Sequence, residues 1–110
     1  MPLFMVTCNY SAEAKAALVA NPTDRSKAAA AAVEAVGGKV HAAYLTLGES
    51  DVVVIYEVPD VIAATALAAT LGTSGAFTSV KTTALLTPAE GIRAFKLSAE
   101  TRRAYTPPGR

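Results

Sequence analysis

Residues 39–58 read KVHAAYLTLGESDVVVIYEV, and the way this stretch must fold determines the rest. Two runs rich in β-branched and aromatic residues, 39–47 and 52–58, flank Gly48-Glu49-Ser50-Asp51, a short segment of turn-forming type. A parallel connection needs about a dozen residues or more, so the two runs pair as an antiparallel hairpin. With the turn centred between Glu49 and Ser50, alternation places His41, Ala43, Leu45 and Leu47 on one face with Val52, Val54 and Tyr56. The opposite face collects Val40, Ala42, Tyr44 and Thr46 with Val53, Ile55 and Glu57. The first set is the more apolar and is expected beneath helices. The second is an apolar floor carrying polar groups, and it is expected to face a partner.

Upstream, residues 3–10, LFMVTCNY, read as a strand that ends at Ser11, a good helix N-cap. The helix that follows runs to residue 20 and breaks at Asn21-Pro22. There Asn21 reads as a second cap, Pro22 as a first helical position, and Asp24 as a carboxylate suited to the positive helix end. The second piece reaches about residue 36, where Gly37-Gly38 supply a left-handed stop. Downstream, Asp60 caps a helix to about residue 71, Gly72-Thr73-Ser74-Gly75 ends it, and 77–86 form a last strand. The order is βαββαβ, which predicts an α+β ferredoxin-like sandwich with a four-stranded antiparallel sheet. Thr87-Pro88-Ala89-Glu90 is a capping box that starts a short C-terminal helix. The predicted domain is 1–97 including that helix, and the polar stretch 98–110, SAETRRAYTPPGR, is expected to be a mobile tail.

A chain of 110 residues supports one core. Hydrophobic residues make up 52% and charged ones 17%, more apolar than a small monomer with much surface to cover needs, even with part of the excess in alanine. This surplus, with the two-sided apolar hairpin, predicts a homodimer or a larger homo-oligomer. A formal net charge of +1 gives no field for nucleic acid, and no stacking aromatics interleave with basic clusters, so nucleic acid is not an expected partner. Cys8 is the sole cysteine, which excludes an internal disulfide and a Cys-rich metal framework and fits a reducing compartment. The start MPLF carries no targeting pattern, and the apolar stretches are broken at helix or strand length; a cytoplasmic protein without a membrane partner is the expectation.

The segment YLTLGESDVVVIYEVPD resembles the GYD domain family, small proteins of the dimeric α/β-barrel type with a ferredoxin-like subunit. The resemblance runs from about residue 3 to 90. It includes Asn9-Tyr10, Arg25, Gly37-Gly38-Lys39-Val40, the 80–83 strand and Thr87-Pro88. The name-giving Gly-Tyr-Asp becomes Gly48-Glu49-Ser50-Asp51, with serine where the tyrosine would lie. The resemblance implies fold and self-association and carries no established reaction; relatives by architecture include cofactor-independent oxygenases, isomerases and small-ligand sensors.

Glu57, Tyr44, Thr46 and Asn9 are the candidate pocket residues, with Glu57 a possible proton acceptor and Tyr44 or Asn9 able to orient a carbonyl or hydroxyl group. Against this, Glu57 near a strand end is more readily a solvated residue or one ion-paired across the subunit interface. His41, the only histidine, has no ligand-type neighbours at metal spacing and reads as solvent-facing, and Cys8 alternates with Phe4 and Val6 as a core thiol does. Pro2 admits the proton-carrying role of tautomerase N-terminal prolines, which the MPLF start resembles, but the rest of the chain points elsewhere. Lys39, Lys81 and Arg25 read as surface cations. Two functions follow. The first is a small-ligand-binding or interaction protein with its pocket on the open sheet face. The second is a cofactor-independent enzyme, isomerase, tautomerase or monooxygenase-like, acting on a small carbonyl or enolic compound. Neither implies a cofactor or a metal.

Overall fold

The computed structural model describes residues 1–109. Its elements are β1 (Leu3–Tyr10), α1 (Ala12–Ala20), α2 (Ser26–Ala35), β2 (Lys39–Leu45), β3 (Val52–Glu57), α3 (Val61–Gly72), β4 (Phe77–Leu85) and α4 (Pro88–Ala104). The strands form one sheet in the order β2-β3-β1-β4 with every neighbouring pair antiparallel. This is the ferredoxin-like arrangement expected from the hairpin and its two helical crossovers.

The caps anticipated from sequence are in place. The Ser11 hydroxyl accepts from Ala14 N at 3.1 Å, and the Asp60 carboxylate accepts from Ala63 N at 2.8 Å. Thr87 and Glu90 close a reciprocal capping box at 3.2 and 2.8 Å. Between α1 and α2 the expectation needs correction: α2 starts at Ser26 rather than at Pro22. The N-cap is Arg25, which makes no side-chain cap bond, and the Asp24 carboxylate just before it takes the Ser26 N–H at 2.9 Å. α4 continues to Ala104, seven residues past the expected end at 97. Polarity does not oppose a helix here, because Ala, Glu and Arg all favour it, and Arg102 and Arg103 sit in the last turn where cations suit the helix dipole. Arg110, the last residue of the expected tail, lies outside the described residues.

The core forms on one side of the sheet only. Phe4, Val6 and Cys8 of β1, Val54 and Tyr56 of β3, and Val58 meet Val33 of α2 and Ala64 and Leu67 of α3. Phe4 and Tyr56 stack with ring centroids 5.8 Å apart. Each large side chain among them contributes about 1.5–3 kcal/mol by leaving water. The expected alternation therefore holds on β3.

On β2 it holds only in part. Ala43 and Leu45 pair with Val54 and Val52, but between Val40 and Ala42 the register shifts by a bulge. Val40 consequently lies opposite Tyr56 and packs on the core, while His41 reaches across to Glu57 on the other face. The two residues have exchanged the faces that uninterrupted alternation assigns them. The strand also ends at Leu45 rather than at 47, and Leu47 is fully exposed in the connection. Ser50 is half-buried, with its carbonyl accepting from the Thr46 hydroxyl at 2.6 Å. The pairing is thus shifted from a turn centred between Glu49 and Ser50 to one closed by the Thr46 N–H on the Asp51 carbonyl, 2.9 Å.

Candidate functional site

The face opposite the helices is crossed by rows of side chains whose order follows from the strand registers. At one end Glu57 lies beside Lys39 and Leu3, with Leu85 beyond and His41 added by the bulge. The next row is Ala42, Ile55, Met5 and Thr83; then come Tyr44, Val53, Thr7 and Lys81; the far end holds Asn9 and Ser79. Leu3, Met5, Val53 and Ile55 form a half-buried apolar centre, and polar groups surround it. Among the described residues no helix covers this surface: α2 and α3 pack on the core side, and α1 and α4 bury no residue.

Among the described residues, His41 and Glu57 are the one pair of titratable side chains in contact on this face. His41 Nε2 lies 3.1 Å from Glu57 Oε1, with both side chains accessible. Such a pair can hold or pass a proton beside an apolar floor. Sequence reasoning reached Glu57 but put His41 on the wrong face, because an inserted residue in a strand leaves no mark in the pattern.

The other expected site residues are dispersed. Tyr44 is 65% exposed in the row beside Val53. Asn9 does share the face of Glu57, since Leu3 pairs with Glu57 and Asn9 follows on the same side of β1, but six residues of strand separate those rows by about 20 Å. One small molecule cannot touch both. Thr46 lies beyond the end of β2, with its hydroxyl committed to Ser50.

A second cluster gathers the motif residues at the Asn9 end, and its centre is Asp51. The Asp51 carboxylate accepts from Tyr10 N at 2.9 Å and from Lys15 Nζ at 3.1 Å, while its own N–H donates to the Cys8 carbonyl at 2.9 Å. These bonds tie the hairpin connection to the end of β1 and to α1. The Tyr10 N–H, with Lys15 second, holds the Asp51 carboxyl below its ordinary range. Tyr10 stacks on Phe77 with centroids 5.2 Å apart; burial raises its phenol pKa, and Arg25 opposes that rise. Asp51 went unmarked as a structural residue; the available signal was an acid next to a strand end with N–H groups to satisfy. A folded pKa below the unfolded one stabilises above the unfolded value and stops doing so as pH falls through the folded one. Asp51→Ala should therefore lower Tm at pH 7, and the gap from wild type should close as pH falls below about 3.8. Thermal melts across that range check it, and a gap independent of pH would contradict the role.

Cys8 is a core residue whose thiol burial pushes up to about 11, which keeps it protonated and unreactive near neutrality. The Pro2 carbonyl accepts from Val58 N at 3.3 Å, adding one step to the pairing of β1 and β3.

The GYD domain model matches residues 4–95. Among solved structures, MtbAldR is similar with a TM-score of 0.54 at 14% identity, over 78% of this chain and 52% of that one. The chain thus spans about half the length of MtbAldR, and the likeness is one of fold. FFRP-DM1 aligns with a TM-score of 0.46 at 16% identity, over 78% of this chain and all of that one. No protein of curated function gives a significant match.

Proposed function

The chain belongs to the GYD domain family, and from that premise we propose that it is a small-ligand-binding or interaction protein whose site closes between the open sheet face and a second copy. The observation that carries the reading is the composition of that face. An apolar centre of Leu3, Met5, Val53 and Ile55 lies uncovered, bordered by His41–Glu57, Tyr44 and Lys81. Pockets for small molecules are mostly apolar with a few placed polar groups, and two such faces opposed would enclose that mixture.

Ligand retention tests the proposal. Purified wild-type protein, denatured and examined by mass spectrometry, is expected to release a bound small molecule, and Ile55→Lys, which loses the opposed face, to release none. Equal release from both proteins, or none from the wild type, would overturn the reading.

The His41–Glu57 contact favours a second reading, a cofactor-independent enzyme in which Glu57 accepts a proton from a small enolisable compound and His41 holds the carboxylate in place. Saturable binding without reaction across a panel of such compounds separates binding from catalysis. Turnover that disappears in Glu57→Gln while affinity survives would instead favour the enzyme.

A further inference from the structure

Two apolar surfaces lie outside the sheet face, and each chain carries one of each. The first is α3 with the groove beside it. Val61–Gly72 reads VIAATALAATLG, without a single charged residue and with only Thr65 and Thr70 polar, their hydroxyls turned back onto the helix carbonyls, and so nearly apolar a helix suits a covered position. Yet only Ala64 and Leu67 are buried, while Val61 and Ile62 are 67% and 79% exposed. Between α3 and the edge strand β4 runs a cleft of about 340 Å³, walled by Val61, Ala64, Thr65 and Ala68 and floored by Phe4, Thr82 and Ala84. Thr82 and Ala84 lie on the core side of β4 but are exposed, which leaves the place of a further helix empty.

The second surface is α4. Among the described residues it is without a buried side chain, and no other element packs against it beyond marginal contact. Its direction is set by the capping box two residues after β4, and the molecule measures 60 Å along its long axis but only 33 and 23 Å across. Ile92, Phe95 and Ala99 recur at spacings of three and four and so form one stripe, in which Ile92 is 54% and Phe95 77% exposed.

We propose that α4 of one chain lies in the α3–β4 groove of a second copy, with Phe95 over the small side chains Ala64 and Ala68. Small residues line the groove and one large ring stands on the helix, so each surface supplies what the other lacks. The absence of charge on α3 suits an apolar helix stripe and no charged partner. The same pair of surfaces on identical chains permits reciprocal exchange, and such an interface is self-complementary about a two-fold axis. A single stripe in a single groove falls at the small end of specific interfaces, so this contact rests on the proposed sheet-face dimer for its strength.

Disulfide trapping tests it. Phe95→Cys and Ala68→Cys are made as separate proteins, both at accessible positions, and the buried Cys8 stays inert. The two are mixed, allowed to exchange subunits and oxidised. The expected product is an interchain 68–95 disulfide, identified by peptide mass spectrometry. Leu97→Cys, about 200° around the helix from position 95, should give none with Ala68→Cys. Absence of the 68–95 link, a 95–95 link in its place, or equal linking from position 97 would overturn the exchange. A 68–95 link formed only within one chain, in a protein carrying both cysteines, would overturn it as well. Wild type that sediments as a dimer without the 68–95 link rejects the exchange alone, whereas a monomeric wild type rejects the sheet-face dimer beneath it.

Discussion

Gly38→Ala should cost about 3 kcal/mol or more and lower Tm by roughly 10–20 °C, a loss larger than that of Gly37→Ala one residue earlier. The two glycines of the α2–β2 turn do different things. Gly37 holds φ at +85°, the left-handed conformation that ends a helix, and a methyl group there would meet Pro59 Cγ at an ordinary 3.4 Å. Strain at such a position amounts to about 1–2 kcal/mol. Gly38 has no positive φ. A Cβ added there would collide with the Glu57 carbonyl oxygen, and it would stand 2.6 Å from Val58 Cγ1 and 2.9 Å from Val33 Cγ1. Those neighbours are a strand backbone and two fully buried valines, none of which can yield without opening the core. Thermal melts of the two variants decide it: equal losses would mean that conformational freedom, and not close approach, explains both glycines.

Ile55→Lys should abolish the proposed sheet-face dimer while leaving the subunit folded. Ile55 sits in the middle of the open face beside Met5 and Ala42, half-exposed in the single chain and away from the core. Burying one such side chain is worth about 1.5–3 kcal/mol, and a two-fold interface contains it twice, so its loss alone weakens association about a hundredfold or more. The lysine adds the cost of desolvating a charge. Circular dichroism should be unchanged, because no helix or core contact is altered. Loss of native structure at low concentration would place Ile55 in the subunit's own core instead.

The fold was legible because its signals are local and consistent. A four-residue turn forbids a parallel crossover, Ser11, Asp60 and the Thr87–Glu90 box mark helix starts, and β3 alternates without interruption. What escaped is what depends on a single residue out of step or on contacts distant in sequence. The bulge at His41 exchanges two faces and has no compositional trace, since neither glycine nor proline is needed there. Gly38 looks like half of a helix stop until Glu57 and Val58 are seen against it. The site was legible as a face but not as a cluster: Glu57 and Asn9 share a side of the sheet, and only the pairing of Leu3 with Glu57 reveals that they stand at opposite ends. The apolar stripe of α4 could be read from Ile92, Phe95 and Ala99; that it leaves the body of its own chain could not.

Sedimentation equilibrium of wild type and Ile55→Lys in parallel, at micromolar concentration, tests most directly the claim that a second copy covers the open sheet face. The expected result is a wild-type mass that is a whole multiple of the 11.3 kDa chain, dimer or larger, and a folded Ile55→Lys protein at the mass of one chain. A wild type that stays at 11.3 kDa on further concentration, or a variant that keeps the wild-type mass, would contradict it.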